Sequence, residues 1–162
     1  MRTVILFFTL IVFSIISLNA QWYPCASFQK GDDLHSVHFL NAENGFAIGL
    51  TGVLLRTTNG GESWAYNKIH SWASLYSIYF IDSVTAYAVG HDGVILKSTD
   101  GGNYWTIQNT GTYDPILTVY FLDANIGYAA GVNIILKTTN GGQNWVIKSS
   151  PTSSYWWSIY FF

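Results

Sequence analysis

Three sets of side chains in this 162-residue chain have types and spacings that invite chemistry. The first is His35-x-x-His38, a possible metal pair. Residues three apart on a strand face opposite ways, so these imidazoles cannot grip one ion. His70 and His91 stand alone, and no metal site is expected. The second set is the carboxylates, since glycoside hydrolysis needs two acids roughly 5–10 Å apart. Asp82 and Asp123 occupy the turn position that Asn41 holds earlier, Asp100 sits in a glycine-rich turn, and Glu43 and Glu62 fall in loops that vary. Asp32, Asp33, Asp92 and Asp114 belong to no recognisable motif. The third set is cationic. Gripping a sugar carboxylate takes clustered arginines, whose forks pair with it bidentately. Beyond residue 20 the only arginine is Arg56, and its counterparts are Lys97 and Lys137. These three read most simply as solvated tips, with a docking patch for an acidic partner as the alternative. No catalytic residue and no cofactor is expected in this sequence.

The elements that carry these residues repeat. Leu34-His35-Ser36-Val37-His38-Phe39 returns as Leu75-Tyr76-Ser77-Ile78-Tyr79-Phe80 and as Ile116-Leu117-Thr118-Val119-Tyr120-Phe121, at offsets of 41 and 41. Gly49, Gly90 and Gly131 keep that spacing. Trp64, Trp105 and Trp145 follow at 41 and 40, because His91-Asp92-Gly93 is shortened to Val132-Asn133. Losing one residue from a hairpin loop leaves the flanking strands intact. A fourth copy begins at Trp156-Trp157-Ser158-Ile159-Tyr160-Phe161. Within each unit, short β-branched and aromatic runs alternate with Gly/Asp/Asn clusters, as in Ser77–Phe80, Ala86–Val89, Val94–Lys97 and the run from Trp105. These are four strands per unit. Their near-continuous apolarity means that both sheet faces are covered. Four strands, a period near 41 and doubly covered sheets predict an all-β fold of β-propeller blades.

Between the third and fourth strands a box recurs in register: Thr57-x-Asn59-x-Gly61-x-x-Trp64, Ser98-x-Asp100-x-Gly102-x-x-Trp105 and Thr138-x-Asn140-x-Gly142-x-x-Trp145. The Asp/Asn oxygen and the Ser/Thr hydroxyl can accept backbone N–H groups across a turn. The glycines supply positive φ, and the Trp folds back as a plug. Calcium would also use oxygen ligands and glycine turns, but its sites depend on ligand charge. Two of the three acidic positions are neutral Asn, so the boxes are read as structural.

Composition and termini complete the organisation. Arg2 precedes an apolar run from Val4 to Leu18 that ends at Leu18-Asn19-Ala20. This reads as a signal peptide over 1–20, too short to span a bilayer, which takes roughly twenty residues. The remaining chain carries six Lys+Arg against nine Asp+Glu, a net charge of −3. That excludes a basic nucleic-acid footprint, and the 17% aromatic content excludes disorder. The lone Cys25 can form no internal disulfide. Residues 21–33 read as an outer strand that completes a closing blade. Residues 34–74, 75–115 and 116–155 read as blades 1 to 3, and 156–162 as the start of blade 4. Three repeats are fewer than a ring needs, so the chain is read as the N-terminal part of a six- to eight-bladed propeller.

The boxes resemble the Asp-box of bacterial-neuraminidase-type (BNR) repeats. The wider string, aromatic-Ala-x-Gly followed by Leu-[Lys/Arg]-[Thr/Ser]-Thr-[Asn/Asp]-Gly-Gly-x-x-Trp, resembles the photosystem II stability/assembly factor family of propellers. It is similar, less closely, to sortilin- and sialidase-type Asp-box propellers. The first resemblance implies a non-enzymatic scaffold that binds a protein partner. With the leader it implies a secreted or otherwise extracytoplasmic protein, lumenal if photosynthetic, with no membrane insertion once the leader is cleaved. The second implies a carbohydrate-active propeller with its catalytic acids in blades not encoded here. Trp72, Tyr113 and Tyr155 are candidates for stacking on a sugar or anchoring a protein, with packing as the plainer role.

Overall fold

The computed structural model describes residues 33–69, 73–148 and 154–160. The expected leader, the strand expected within 21–33 with Cys25, and His70 and Trp72 lie outside the described residues, Asp33 excepted.

The described chain is three four-stranded antiparallel sheets. Blade 1 is β1 (Leu34–Phe39), β2 (Gly45–Gly49), β3 (Val53–Thr57) and β4 (Ala65–Lys68). Blade 2 is β5 (Leu75–Phe80), β6 (Ala86–Gly90), β7 (Ile95–Ser98) and β8 (Thr106–Gln108). Blade 3 is β9 (Ile116–Phe121), β10 (Gly127–Gly131), β11 (Ile135–Thr138) and β12 (Val146–Lys148). Strand order follows the chain in every sheet, as hairpin connections require. The described residues contain no α-helix and no helix long and apolar enough to cross a membrane.

Two strands of blade 2 begin one residue later than the sequence suggests, β7 at Ile95 and β8 at Thr106. Val94 is spent on the turn before β7, where Gly90 N–H donates to the Val94 carbonyl and Val94 N–H to that of His91. That turn needs a left-handed residue, and Thr51, Asp92 and Asn133 fill it at φ 55°, 57° and 58°. Asn tolerates this region through its short polar side chain, so blade 3 makes the turn with one residue fewer.

The blades stack through a repeated division of faces. The front of blade 1, Phe46, Ile48 and Leu54, is buried against Leu75, Ile78, Phe80, Leu96 and Trp105 of blade 2. The front of blade 2, Tyr87, Val89 and Ile95, packs in turn on Ile116, Val119, Phe121, Leu136 and Trp145 of blade 3. The central strands β2 and β6 are buried at every position, which explains their unbroken apolarity. Phe46 and Phe80 meet at 4.7 Å between ring centroids, and Tyr87 and Phe121 at 4.1 Å. An aromatic contact like that of Phe46 and Phe80 adds about 0.5–1.5 kcal/mol to area burial.

Candidate functional site

Each box is a closed hydrogen-bond circuit. In blade 1 the Thr57 hydroxyl donates to Asn59 Oδ1 at 2.9 Å and accepts from Gly61 N–H at 2.9 Å, while Ser63 N–H donates to Asn59 Oδ1 at 3.0 Å. In blade 2, Ser98 donates to Asp100 Oδ1 at 2.8 Å and accepts from Gly102 N–H at 2.9 Å. The amides of Asn103 and Tyr104 close on Asp100 Oδ1 at 3.0 and 2.9 Å. In blade 3, Thr138, Asn140, Gly142 and Asn144 repeat the circuit at 2.9–3.0 Å. Asn and Asp therefore do one job, offering a single oxygen. The Tyr104 amide, then the Ser98 hydroxyl, hold the Asp100 carboxyl below the usual carboxylate range.

The box is tied back to the first turn of its own blade. Gly60, Gly101 and Gly141 donate their N–H groups to the carbonyls of Glu43, Val84 and Asn125 at 2.8–2.9 Å. Those turns are organised by Asn41, Asp82 and Asp123, each accepting two backbone amides at 2.7–3.0 Å. These amides favour the ionised carboxylates and lower the pKa of both Asp82 and Asp123. Asp92 lies 2.7 Å from the His91 ring and Asp114 accepts from the Thr112 hydroxyl at 3.0 Å. Among the described residues no three His, Cys, Asp or Glu side chains could hold a metal ion.

The two histidines go separate ways. His35 Nδ1 lies 2.8 Å from the Leu75 carbonyl and its ring lies 5.2 Å from Tyr76. His38 stacks on Phe80 at 5.4 Å, and burial lowers its pKa.

Lys97 and Arg56 are not simply solvated tips, and for these two the sequence expectation is corrected. Lys97 Nζ donates to the Gly141 carbonyl of the next box at 2.7 Å, and the Tyr87 hydroxyl donates to the same oxygen at 2.7 Å. Arg56 reaches Asn103 Oδ1 at 2.9 Å. Each cation also lies over its cross-strand aromatic partner: Arg56 over Phe46 at 5.5 Å, Lys97 over Tyr87 at 5.5 Å and Lys137 over Tyr128 at 5.3 Å. Burial, with the Asp82 charge, pushes the Tyr87 hydroxyl up to about 12. It stays a hydrogen-bond donor at any physiological pH.

The aromatic ring of one blade is thus seated on the second box glycine of the next. A Cβ on Gly102 would meet Phe46 Cε1 at 2.9 Å, and one on Gly142 would meet Tyr87 Cε1 at 2.9 Å. With φ of +83° and +77° as well, these positions are closed to side chains on two counts. The box tryptophans cap the seats. Trp105 and Trp145 are buried, and Trp105 Nε1–H donates to the Gly102 carbonyl at 3.0 Å. Trp64 is only half-buried.

The polar box residues and glycines thus hold their turns, and Trp64 packs within its own blade. What remains open are clefts and aromatic surface. A cleft of about 540 Å³ runs between blades 1 and 2, lined by Phe46, Arg56, Phe80, Asp82, Asp100 and Gly101 among others. A second, of about 560 Å³, is lined by Leu34, His35, Tyr76, Leu117 and Trp157. Tyr113 is 88% exposed, and Tyr155 lies parallel to Trp157 at 6.2 Å with both rings mostly exposed. Sequence reasoning missed Trp157 and the interblade bonds. The cross-strand pairing of an aromatic with a cation in each repeat was the signal that could have found the bonds.

Known proteins share this architecture. A structure described as YCF48 bound to D1 peptide superposes with a TM-score of 0.64 at 22% identity, over 72% of this chain and 40% of that one. YCF48 from Cyanidioschyzon merolae gives 0.63 at 26% identity, over 72% and 39%. An ancestral GH74 enzyme gives 0.59 at 22% identity, over 69% and 18%, a likeness of fold alone. The chain thus spans about two fifths of the YCF48 structures it matches. No curated protein matches its sequence. The family model described as photosynthesis system II assembly factor YCF48 matches residues 17–107 and 63–149. Together these matches run through all three boxed sheets, and the chain belongs to that YCF48 family of BNR-repeat β-propellers.

Proposed function

We propose that this chain is part of a non-enzymatic propeller scaffold that binds a segment of a protein partner outside the cytoplasm. The observation that carries the reading is the family membership, together with a solved relative whose description places a peptide on YCF48. The site chemistry supports it. Asp82, Asp100 and Asp123 each accept backbone amides that hold their turns, and Arg56, the one described arginine, donates to Asn103, so these groups have structural partners and no arginine cluster forms among the described residues. The apolar run ahead of Ala20 supports export. The likeness to a GH74 enzyme concerns fold, which does not carry activity with it.

The test is isothermal titration of the chain with a D1 peptide and with the same residues scrambled, beside a sugar-release assay on a panel of oligosaccharides. Binding of the ordered peptide without sugar release is expected. Equal affinity for both peptides, or turnover of any glycoside, would overturn the reading.

A further inference from the structure

The two interblade joints are built on one plan, and one of them lacks two of its parts. At the joint of blades 2 and 3 the Gly141 carbonyl accepts both the Tyr87 hydroxyl and the Lys97 ammonium. At the joint of blades 1 and 2 the corresponding carbonyl belongs to Gly101. The aromatic there is Phe46, which has no hydroxyl. The cation is Arg56, which passes the carbonyl and bonds Asn103 instead. Phe46 is nevertheless seated on Gly102 as Tyr87 is on Gly142, with Cε1 2.9 Å from where a Cβ on that glycine would stand in each case. The Gly101 carbonyl accepts no hydrogen bond among the described residues, and Gly101 lines the cleft of about 540 Å³ beside Phe46 and Arg56.

We propose that this cleft binds a primary ammonium on an apolar stem, the end of a lysine side chain from a protein partner, with the Gly101 carbonyl as its acceptor. The chain itself holds the pattern for such a contact, in the 2.7 Å bond from Lys97 Nζ to Gly141. Charge favours a cation as well. Asp82 and Asp100 line the cleft against a single guanidinium, that of Arg56. Backbone amides keep both carboxylates ionised, while burial holds His38, also in the lining, toward its neutral form. Phe46, Phe80 and Leu40 supply the apolar wall that a four-carbon stem would follow. The proposal deepens the partner-binding reading by naming what the partner inserts. It stands on the chain's own joints, so the cleft can take an ammonium even if a D1 peptide does not bind.

The experiment is a 1H–15N titration of the chain with N-acetyl-lysine N-methylamide, with the norleucine analogue as the uncharged control. Shifts at the amides of Gly101, Gly102 and Asp82 are expected with lysine, at a dissociation constant on the order of millimolar for one side chain, and none with norleucine. The variant Phe46→Tyr/Arg56→Lys rebuilds the joint of blades 2 and 3 inside the first joint and should weaken binding at least tenfold. The converse variant Tyr87→Phe/Lys97→Met frees the Gly141 carbonyl and should add a second responsive site. If capped lysine binds tighter than n-butylammonium, the source is a protein segment, as proposed. If n-butylammonium binds as tightly, the cleft reads the ammonium alone and serves a free amine, which overturns the protein source. No lysine-specific shifts, or shifts unchanged in Phe46→Tyr/Arg56→Lys, would overturn the proposal altogether.

Discussion

Placing a methyl group on the second box glycine measures the interblade seat directly, because one chain offers the experiment and its control. Gly142 and Gly61 have left-handed backbones, at φ +77° and +92°. An alanine at either position is strained by that conformation, at a cost of about 1–2 kcal/mol. They differ in what the new Cβ would touch. At Gly142 it would lie 2.9 Å from Tyr87 Cε1, on a ring that is fully buried and pinned by its hydroxyl to Gly141. At Gly61 it would meet, among the described residues, only Trp64 and Phe39, at 3.7 and 3.9 Å, which is ordinary contact. Overpacking a rigid site costs a further ~1–3 kcal/mol. Gly142→Ala should therefore destabilise by about 2–5 kcal/mol and Gly61→Ala by about 1–2 kcal/mol. In a domain of this size each kcal/mol moves the thermal midpoint by roughly 2–4 °C. Urea titrations read by tryptophan fluorescence give both midpoints. Equal losses for the two variants would refute the idea that one blade's ring is seated on the next blade's box.

Four further outcomes follow from the same geometry. Trp105→Ala should cost about 3–5 kcal/mol, the usual loss for a buried tryptophan, and a thermal midpoint left unmoved would contradict the plug. Asp100→Asn should leave the urea midpoint at neutral pH where it is, because Asn59 and Asn140 hold the same circuit, and neither calcium nor a chelator should shift the melting curve. Tyr87→Phe removes one of two donors to Gly141 and should cost about 0.5–1.5 kcal/mol in urea. The carboxyls of Asp82, Asp100 and Asp123 titrate lower in the folded chain than in the unfolded one. Their contribution is thus complete above the unfolded value near pH 4 and fades as pH falls through the folded values. Urea midpoints should slip modestly below about pH 6.5, where the unfolded chain protonates His38 and the folded one resists it, and decline further below about pH 5 as the carboxyls titrate, that second decline being less steep in Asp100→Asn. A midpoint that rose on acidification would have the wrong sign.

Much of the fold was legible because its information is local and repeated. The strands are short β-branched runs, and the box circuits close within four residues, as Thr57 does with Gly61. Asn standing for Asp was readable as a retained acceptor rather than a lost ligand. The joints were harder to see. Lys97 and Gly141 are 44 positions apart, and nothing in a single repeat says that a cation beside a box serves the next box rather than solvent. The register does carry that message. Phe46 pairs with Arg56, Tyr87 with Lys97 and Tyr128 with Lys137, and in the two pairs that face a following blade the cation ends on an acceptor of that blade's box. The one-residue delay of β7 was invisible for another reason. Val94 is as apolar as any strand residue, and only its turn hydrogen bonds remove it from the strand.

The boxes of blades 2 and 3 act as mechanical parts, each clamped by the blade before it. Amide hydrogen exchange at Gly61, Gly102 and Gly142 tests this most directly, since all three donate to a box hydroxyl at 2.9 Å but, among the described residues, only the last two lie under a ring from the preceding blade. Gly102 and Gly142 should exchange slowly and at matching rates, and Gly61 faster, with no change on adding calcium. Three equal rates, or protection that appears only with calcium, would contradict it.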